Sequence, residues 1–222
     1  MSTQSAAVET VRGMRGAMHL VASIVHDEVS RLQAGVLGAR PNAVGRTARL
    51  RRGAGRDVAA IPDVWGLLDL GTLFAEEAGL TERERERAEK AVYAAVTLWA
   101  LHQQSQRHRM HAVNGPDLGT AVRTLMRPGE IDDMLRKRLV RAGSAANFEQ
   151  VTANLREIVQ LLRRQRASLD YVRLARQLYT WQWPGGPSEV RREWGRGFNG
   201  YRQNQQGEAG PGEQIPDRGH EE

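Results

Sequence analysis

Apolar residues recur every three or four positions along most of this chain, and this spacing constrains the fold more than any other feature. Thr81 and Glu84 form a capping box that predicts the start of a long helix, and a buried stripe at helical spacing continues from Ala88 to Trp99. Similar spacing predicts a helix over residues 65–76 and an aromatic-rich helix over residues 169–182, which Pro184 closes. Because the period-two alternation of strands is hard to find, we expect an all-α fold.

Interruptions of this periodicity predict how the chain is organised. Residues 1–14 are small and polar and predict a flexible N-terminus. Arg127, Pro128 and Gly129 then separate an N-terminal helical domain, residues 15–127, from a more basic C-terminal helical bundle, residues 128–202. Residues 203–222 are rich in Gly, Gln and Glu and predict a disordered acidic tail. We therefore expect two small helical bundles with disordered termini.

The chain is basic, and its bases are almost all arginines. Its 32 Lys and Arg residues exceed 26 Asp and Glu residues by 6, and Lys90 and Lys137 are the only lysines. Arginine has a planar fork that suits phosphate oxygens. The longest uncharged apolar run, Ala91 to Leu101, is well short of the roughly 20 residues that span a bilayer. Nucleic acid is therefore the expected partner, and a membrane is not.

Several classes of site are excluded by composition. The chain contains no cysteine, which excludes disulfides, zinc–thiolate sites and thiol nucleophiles. The N-terminus lacks the charged and apolar regions of a secretory signal. We expect a cytoplasmic protein without a cofactor or a metal.

Two segments carry more bases than nearby acids can neutralise. Residues 46–56 contain five arginines beside the single acid Asp57, and residues 120–141 contain six bases and three acids. Arg156 and Arg163 are seven residues apart, so they share one face of a predicted helix. Contacts to a phosphate backbone need such a track of bases and carry no sequence information.

Three histidines close together are the candidates for catalysis. His102, His108 and His111, with Asp117 nearby, could bind a metal or act as the acid and base of a ribonuclease. No HExxH pattern accompanies them, and their loop is rich in arginine, which repels cations. The preferred interpretation places His102 beside Trp99 on a helix and the others in a polar loop.

Other polar and aromatic residues have a structural interpretation. Asp132 and Asp133 are expected to open a helix, and the GPDLG segment, residues 115–119, is expected to form a turn and a helix start. Several aromatic residues could stack on bases, but their helical spacing favours the core: Tyr171, Tyr179, Trp181, Trp183, Trp194 and Phe198.

Five ordered motifs resemble one family. They are WALHQQ (residues 99–104), MHAVNGPDLGTAVRTL (110–125), RLVRAGSAANFEQVTANLREIVQLLR (138–163), LDYVRLARQLYTWQWP (169–184) and VRREWGRGF (190–198). The resemblance runs from about Arg46 to Tyr201. It is to CasB, the small subunit of Cascade, the type I-E CRISPR surveillance complex.

The resemblance implies a non-catalytic protein of two helical bundles that pairs head to tail with a second copy of itself. It implies assembly with CasA, CasC, CasD and CasE, and contacts with the crRNA and with the target and displaced DNA strands. Guide pairing recognises the sequence, so the protein needs only to recognise shape and charge while it stabilises the R-loop. Antiviral defence is the implied role.

Matching the family pattern position by position extends the list of candidate bases. The early basic motif falls on Leu50, Arg51 and Arg52, the base of the long helix on Arg87, and those of the second bundle on Arg141, Arg156, Arg191 and Arg192. Together with the base-rich segments, the candidate nucleic-acid-binding residues are Arg46, Arg49, Arg51, Arg52, Arg87, Arg123, Arg138, Arg141, Arg156, Arg163, Arg191 and Arg192.

The chain departs from the family pattern at three positions, where Asn154 replaces a histidine and Gln177 and Gly197 each replace an aspartate. None of these changes removes a candidate base. Two alternative functions stay open: a free-standing basic, helical nucleic-acid-binding regulator, for which no convincing helix-turn-helix is found, and a histidine-dependent ribonuclease.

Overall fold

The computed structural model describes the backbone of residues 2–207 and the side chains of residues 13–200. Within this range it contains α-helices and short 3₁₀ turns and no strand, so the predicted all-α class is confirmed. The α-helices are α1 (Ser2–Leu37), α2 (Pro41–Leu50), α3 (Gly71–Phe74), α4 (Glu82–Gln103), α5 (Leu118–Thr124), α6 (Asp133–Gly143), α7 (Phe148–Gln165), α8 (Tyr171–Trp181) and α9 (Gly186–Gly207).

Helix α4 lies at the centre of the molecule. The predicted capping box opens it: the Glu84 amide donates to Thr81 Oγ1 at 3.3 Å, and the Thr81 amide donates to Glu84 Oε2 at 2.8 Å. Every residue from Ala91 to Gln103 is buried. A helix that is buried on all sides must be surrounded by other elements.

Helices α1, α7 and α8 supply that surround. Alanines, including Ala91, Ala95 and Ala100, are frequent along α4 and keep its surface narrow, so neighbouring helices approach its backbone closely. Buried side chains from α1, α4, α7 and α8 form one continuous hydrophobic cluster. The division near residue 127 therefore does not coincide with a gap in the core, and two separate domains stay a prediction.

Helices α1 and α9 extend into the segments expected at the chain termini. Helix α1 begins at Ser2, and the flexibility expected for residues 1–14 and the disorder expected for residues 203–222 stay predictions. No proline occurs before Gly13, so nothing in the sequence stops the packed helix from continuing towards the N-terminus. At the other end, α9 continues to Gly207 and includes the first residues of the predicted tail. Residue 1 and residues 208–222 lie outside the described residues.

The helix predicted over residues 65–76 is also wrong. The chain there forms the 3₁₀ turns Pro62–Val64 and Glu76–Ala78 and the single turn of α3. Gly66 has a φ of +65°, a left-handed conformation that ends a helix. Trp65 is 54% exposed, with its indole N–H donating to the Val58 carbonyl at 2.8 Å.

Helices α5 and α9 pack so closely that one glycine is obligatory between them. A Cβ atom at Gly119 would overlap the Trp194 carbonyl oxygen and contact the Phe198 amide, both of which are backbone atoms. We expect Gly119→Ala to lower the free energy of unfolding by about 1–3 kcal/mol, because the helices must separate to admit the methyl group. Urea denaturation followed by circular dichroism measures this change.

Gly195→Ala on the same helix α9 is the matched control. No heavy atom lies within 4 Å of a Cβ built there, so alanine should stabilise the helix by about 0.5–1 kcal/mol. Equal effects of the two substitutions would contradict the close packing of α5 against α9.

Candidate nucleic-acid interface

The first group of candidate arginines lies at the end of α2 and in the turn that follows it. We call residues 46–56 the α2 basic segment. Arg46 contacts Glu28 at 3.2 Å, Arg49 donates to the Asp63 carbonyl at 3.2 Å, and Arg52 pairs with the Asp63 carboxylate. Arg51, which is partly exposed, makes no ion pair within the described part of the chain.

Helix α7 packs against the α2 basic segment. Arg156 Nη1 donates to the Ala54 carbonyl at 2.6 Å. Gly55, at a φ of +70°, lies so close to α7 that a Cβ atom there would come within 2.8 Å of the Arg156 Cβ. Arg156 therefore positions the α2 basic segment rather than projecting freely into solvent.

A second group joins α6, α7 and α9, and we call it the α6–α9 surface. Arg138 Nη1 lies 2.9 Å from Glu157 Oε2, and Arg141 pairs with the same carboxylate. Arg191 donates to the Gly143 carbonyl at 3.1 Å. Arg192 is exposed, with no ion pair to another described residue. Glu157 is thus the ion-pair partner of both Arg138 and Arg141. The bases therefore outnumber their acidic partner on this surface.

Three candidates lie apart from these surfaces. The guanidinium carbon of Arg87 lies 4.0 Å from the centre of the Trp183 ring, and partial burial lowers the pKa of Arg87. Arg163 Nη1 donates to Gln104 Oε1 at 2.7 Å. Arg123 is only 1% exposed and donates to the Arg127 carbonyl at 3.3 Å. Its guanidinium is in the interior, so we leave Arg123 out of the proposed interface.

The histidines do not assemble a catalytic cluster. His102 is fully buried, and its Nδ1 lies 2.9 Å from the Tyr171 hydroxyl. His111 is buried, contrary to the polar loop expected for it, and its Nδ1 accepts from the Tyr171 amide at 3.1 Å. His108 is exposed, as expected. Asp117 caps α5 by accepting from the Thr120 amide at 2.7 Å. Across the described residues, no three His, Asp or Glu side chains are placed to hold a metal.

The structural interpretation of the other singled-out residues is confirmed. Asp132 caps α6 through the amides of Met134 and Leu135, and the GPDLG segment leads into α5. The aromatic residues belong to the core or pack against it: Tyr171, Tyr179, Trp181, Trp194 and Phe198 are buried, and Trp183 is partly buried.

The three departures from the family pattern have local explanations. Gln177 accepts from the Trp194 indole N–H at 2.8 Å and donates to Glu193 at 2.7 Å. A charged aspartate could not both donate and accept in this way. A Cβ atom at Gly197 would overlap the buried Asp117 carboxylate, so a larger residue there would force the Asp117 side chain to move. Asn154 donates to the Arg141 carbonyl at 3.1 Å.

Some exposed bases were missed by the sequence analysis. Arg107, Arg109, Arg164 and Arg166 are all exposed. The signal that could have found them was the absence of any Asp or Glu from residues 91–116 and 158–169. The histidines of the first segment and the apolar face of the helix in the second are the stronger sequence signals, and they mask this excess of bases.

The fold and the exposed arginines together define a basic, all-α protein whose surface attracts polyanions. The sequence matches the family model of the CRISPR-associated protein Cse2 over residues 46–198. The chain therefore belongs to the Cse2 family, and the resemblance to CasB is confirmed. Among curated proteins, no sequence matches significantly.

Solved structures agree with this assignment. CasB from Thermobifida fusca is 43% identical, with a TM-score of 0.70, and the match covers 81% of this chain and 97% of that one. A chain of a CRISPR RNA-guided surveillance complex has the same fold at 22% identity, with a TM-score of 0.62 and coverage of 85% and 99%. A pre-nicking form of such a complex gives a TM-score of 0.64 at the same identity and coverage. The predicted assignment to the Cascade small subunit is confirmed at the level of the family.

The described helices include none that is both long and apolar enough to cross a membrane. This finding agrees with the short apolar runs noted in the sequence.

The buried His102 predicts a specific dependence of stability on pH. Burial lowers its pKa from 6.5 to about 4, so the unfolded chain binds a proton at this residue at a higher pH than the folded chain does. The uncharged His102 ring therefore makes its full contribution to the free energy of unfolding above pH 6.5. This contribution is lost as the pH falls towards 4, and the loss is roughly 3 kcal/mol in total. Urea denaturation at pH 7.5, 6 and 4.5 measures the loss.

His102→Gln is the control for this prediction. It removes the titrating ring, so the wild-type curve should fall more steeply than the variant curve between pH 6.5 and 4, whatever the other acidic groups contribute. Parallel curves for the two proteins would contradict the assignment.

Proposed function

We propose that this chain is the non-catalytic small subunit of a type I-E Cascade complex and holds nucleic-acid backbones through its arginines when an R-loop forms. In this proposal the phosphate contacts come from the α2 basic segment and the α6–α9 surface. The ligands are the crRNA and the target and displaced DNA strands. The protein partners are CasA, CasC, CasD, CasE and a second copy of the chain, and the complex acts in the cytoplasm in antiviral defence.

One observation carries this proposal more than any other. The exposed arginines lie on surfaces where acids are too few to neutralise them, as at Glu157, which serves both Arg138 and Arg141. Backbone contacts require positive charge at the surface without a base-reading pocket. The histidines that a ribonuclease would need are split between the core and an exposed loop, which favours a binding role over a catalytic one.

The supporting contacts separate two kinds of arginine within the proposed interface. Arg156 and Arg191 donate to backbone carbonyls of Ala54 and Gly143, so they act as positioning residues. Arg51 and Arg192 make no ion pair to another described residue, and Arg141 and Arg52 pair only at the exposed surface, where such pairs contribute little. We propose these four as the phosphate contacts.

The salt dependence of binding tests the α2 basic segment. We expect Arg51→Gln with Arg52→Gln to reduce the slope of log affinity against log salt by about 1.4 for a single strand, because each lost phosphate contact removes about 0.7. Fluorescence anisotropy of a labelled strand at several salt concentrations measures the slope. An unchanged slope would remove this pair from the interface.

Arg83→Gln with Arg85→Gln is the matched control, because it removes the same charge from a helix surface that is rich in both signs. Arg85 already contacts Glu82 at 3.1 Å. The control slope should remain close to that of wild type.

Reconstitution of the complex tests the proposed function as a whole. A complex rebuilt without this chain should keep its guide and bind duplex target weakly, because R-loop formation is a nearly balanced exchange of duplexes. Wild-type chain should restore target binding. A variant with Arg141→Gln and Arg192→Gln should join the complex and bind target about tenfold or more weakly, since two charge-assisted contacts are lost. Filter binding of labelled duplex measures target binding by the complexes with the wild-type chain and with the variant.

Two outcomes would contradict this proposal at different points. Full rescue by the folded Arg141/Arg192 variant would remove the α6–α9 surface from the interface. Failure of wild-type chain to enter the complex would overturn the assigned function itself.

A further inference from the structure

A third group of bases lies where the loop after α4 meets the end of α7, outside both surfaces described above. The loop contributes Arg107, His108 and Arg109, and the end of α7 and its C-cap contribute Arg164 and Arg166. All five side chains are exposed. We call these residues the loop–α7 cluster.

Direct hydrogen bonds hold the two halves of this cluster together. Arg163 Nη1 donates to Gln104 Oε1 at 2.7 Å, and Gln106 Nε2 donates to the Arg163 carbonyl at 3.3 Å. Arg163 therefore joins the loop to the helix. The two segments that carry the exposed arginines therefore meet at Arg163, although they are more than 50 residues apart in sequence.

The loop is held in one conformation from within the core. Gln103 is fully buried, and its amide donates to the carbonyls of Gln106 at 3.1 Å and His108 at 2.8 Å. Its side-chain oxygen accepts from the Met110 amide at 3.1 Å. A loop that is already ordered loses little entropy when it binds a ligand, so its arginines are arranged in advance.

No acid neutralises the cluster. Residues 91–116 and 158–169 contain no Asp or Glu, and none of the four cluster arginines forms an ion pair with another described residue. The C-terminal dipole of α7 favours bases in its last turn and accounts for Arg164, but it does not account for Arg107 and Arg109 in the loop. Neighbouring like charges repel one another, so this group would be stabilised by a bound anion.

The composition of the cluster indicates what kind of anion it suits. Apart from His108, neither residues 104–109 nor residues 163–168 contain an aromatic side chain that could stack on a base. Arginine forks match phosphate oxygens. The expected ligand is therefore a phosphodiester backbone bound without sequence preference.

Helix α7 links this cluster to the α2 basic segment. Arg156, which holds that segment through Ala54, precedes Arg163 by seven residues on α7. Seven residues of helix extend about 10 Å. A strand that contacts the α2 basic segment can therefore reach the loop–α7 cluster by following one helix.

We propose that the loop–α7 cluster is a further phosphate-binding site that holds a nucleic-acid strand through Arg107, Arg109, Arg164 and Arg166, with Gln103 and Arg163 as positioning residues. This site rests on the proposed function and extends it, because it adds a contact that neither basic surface provides. The strand is either the displaced DNA or the RNA guide, which share the same phosphodiester chemistry.

The free protein provides the first test. A variant with Arg107→Gln, Arg109→Gln and Arg164→Gln should fold normally, because these side chains make no hydrogen bond to another described residue. Its salt slope on a labelled 20-nucleotide single strand should fall by about 2, since three contacts of about 0.7 each are lost. DNA and RNA strands of one sequence form the two arms, and a larger loss on one of them indicates the preferred strand.

The matched control removes three charges elsewhere, by Arg83→Gln, Arg85→Gln and Arg136→Gln. Arg136 contacts Asp133 at 3.1 Å and Arg85 contacts Glu82, so two of these bases already have acidic partners, and Arg83 lies between Glu82 and Glu84 in the sequence. A smaller loss in the control supports the site. Equal losses in the two variants would show that only net charge matters and would overturn it.

The rebuilt complex identifies the strand and separates this inference from the proposed function. If the cluster holds the displaced strand, the cluster variant should weaken binding of duplex target but not of single-stranded target. If it holds the guide, both targets should bind more weakly. Binding equal to wild type on both targets, with an unchanged salt slope, would overturn the site while the proposed function stands. Failure of wild-type chain to enter the complex would overturn the function instead.

Discussion

The burial of α4 on all sides is the constraint on which the rest of this structure depends. A helix whose residues from Ala91 to Gln103 are all buried cannot exist without helices around it, and α1, α7 and α8 provide them. Small residues along α4 let these helices approach closely. Two polar side chains that enter this core, His102 and Gln103, are held by hydrogen bonds to Tyr171 and to the loop after α4, as is usual for buried polar groups.

The same packing positions the proposed binding surfaces. Gln103, at the end of the buried helix, arranges the loop after α4, and Arg163 joins that loop to α7. Two turns earlier on α7, Arg156 holds the α2 basic segment. The helices thus hold exposed arginines at defined positions, which suits the proposed recognition of the shape and charge of a nucleic acid rather than its sequence.

Arginine has two physical roles in this molecule, and the amino-acid sequence alone does not distinguish them. Its five donors allow it to bond backbone carbonyls, as Arg156 and Arg191 do, and its charge allows it to attract phosphates when it is exposed. Arg123 shows the extreme of the first role, because it lies in the core although it belongs to a segment with an excess of bases. Local charge counts therefore overestimate how much of a basic segment is available for binding.

Periodicity, capping and composition were enough to determine the all-α class, the start of α4 at Thr81 and the core positions of Trp181 and Trp194, because these depend on residues within a few positions of one another. The ordered motifs were enough to identify the family. Tertiary structure alone decided that Arg163 joins a loop to α7 and that Glu157 serves two arginines. It also decided that Gln106 meets Arg163. Each of these depends on contacts between segments far apart in sequence, and such contacts leave no periodic signal in the chain.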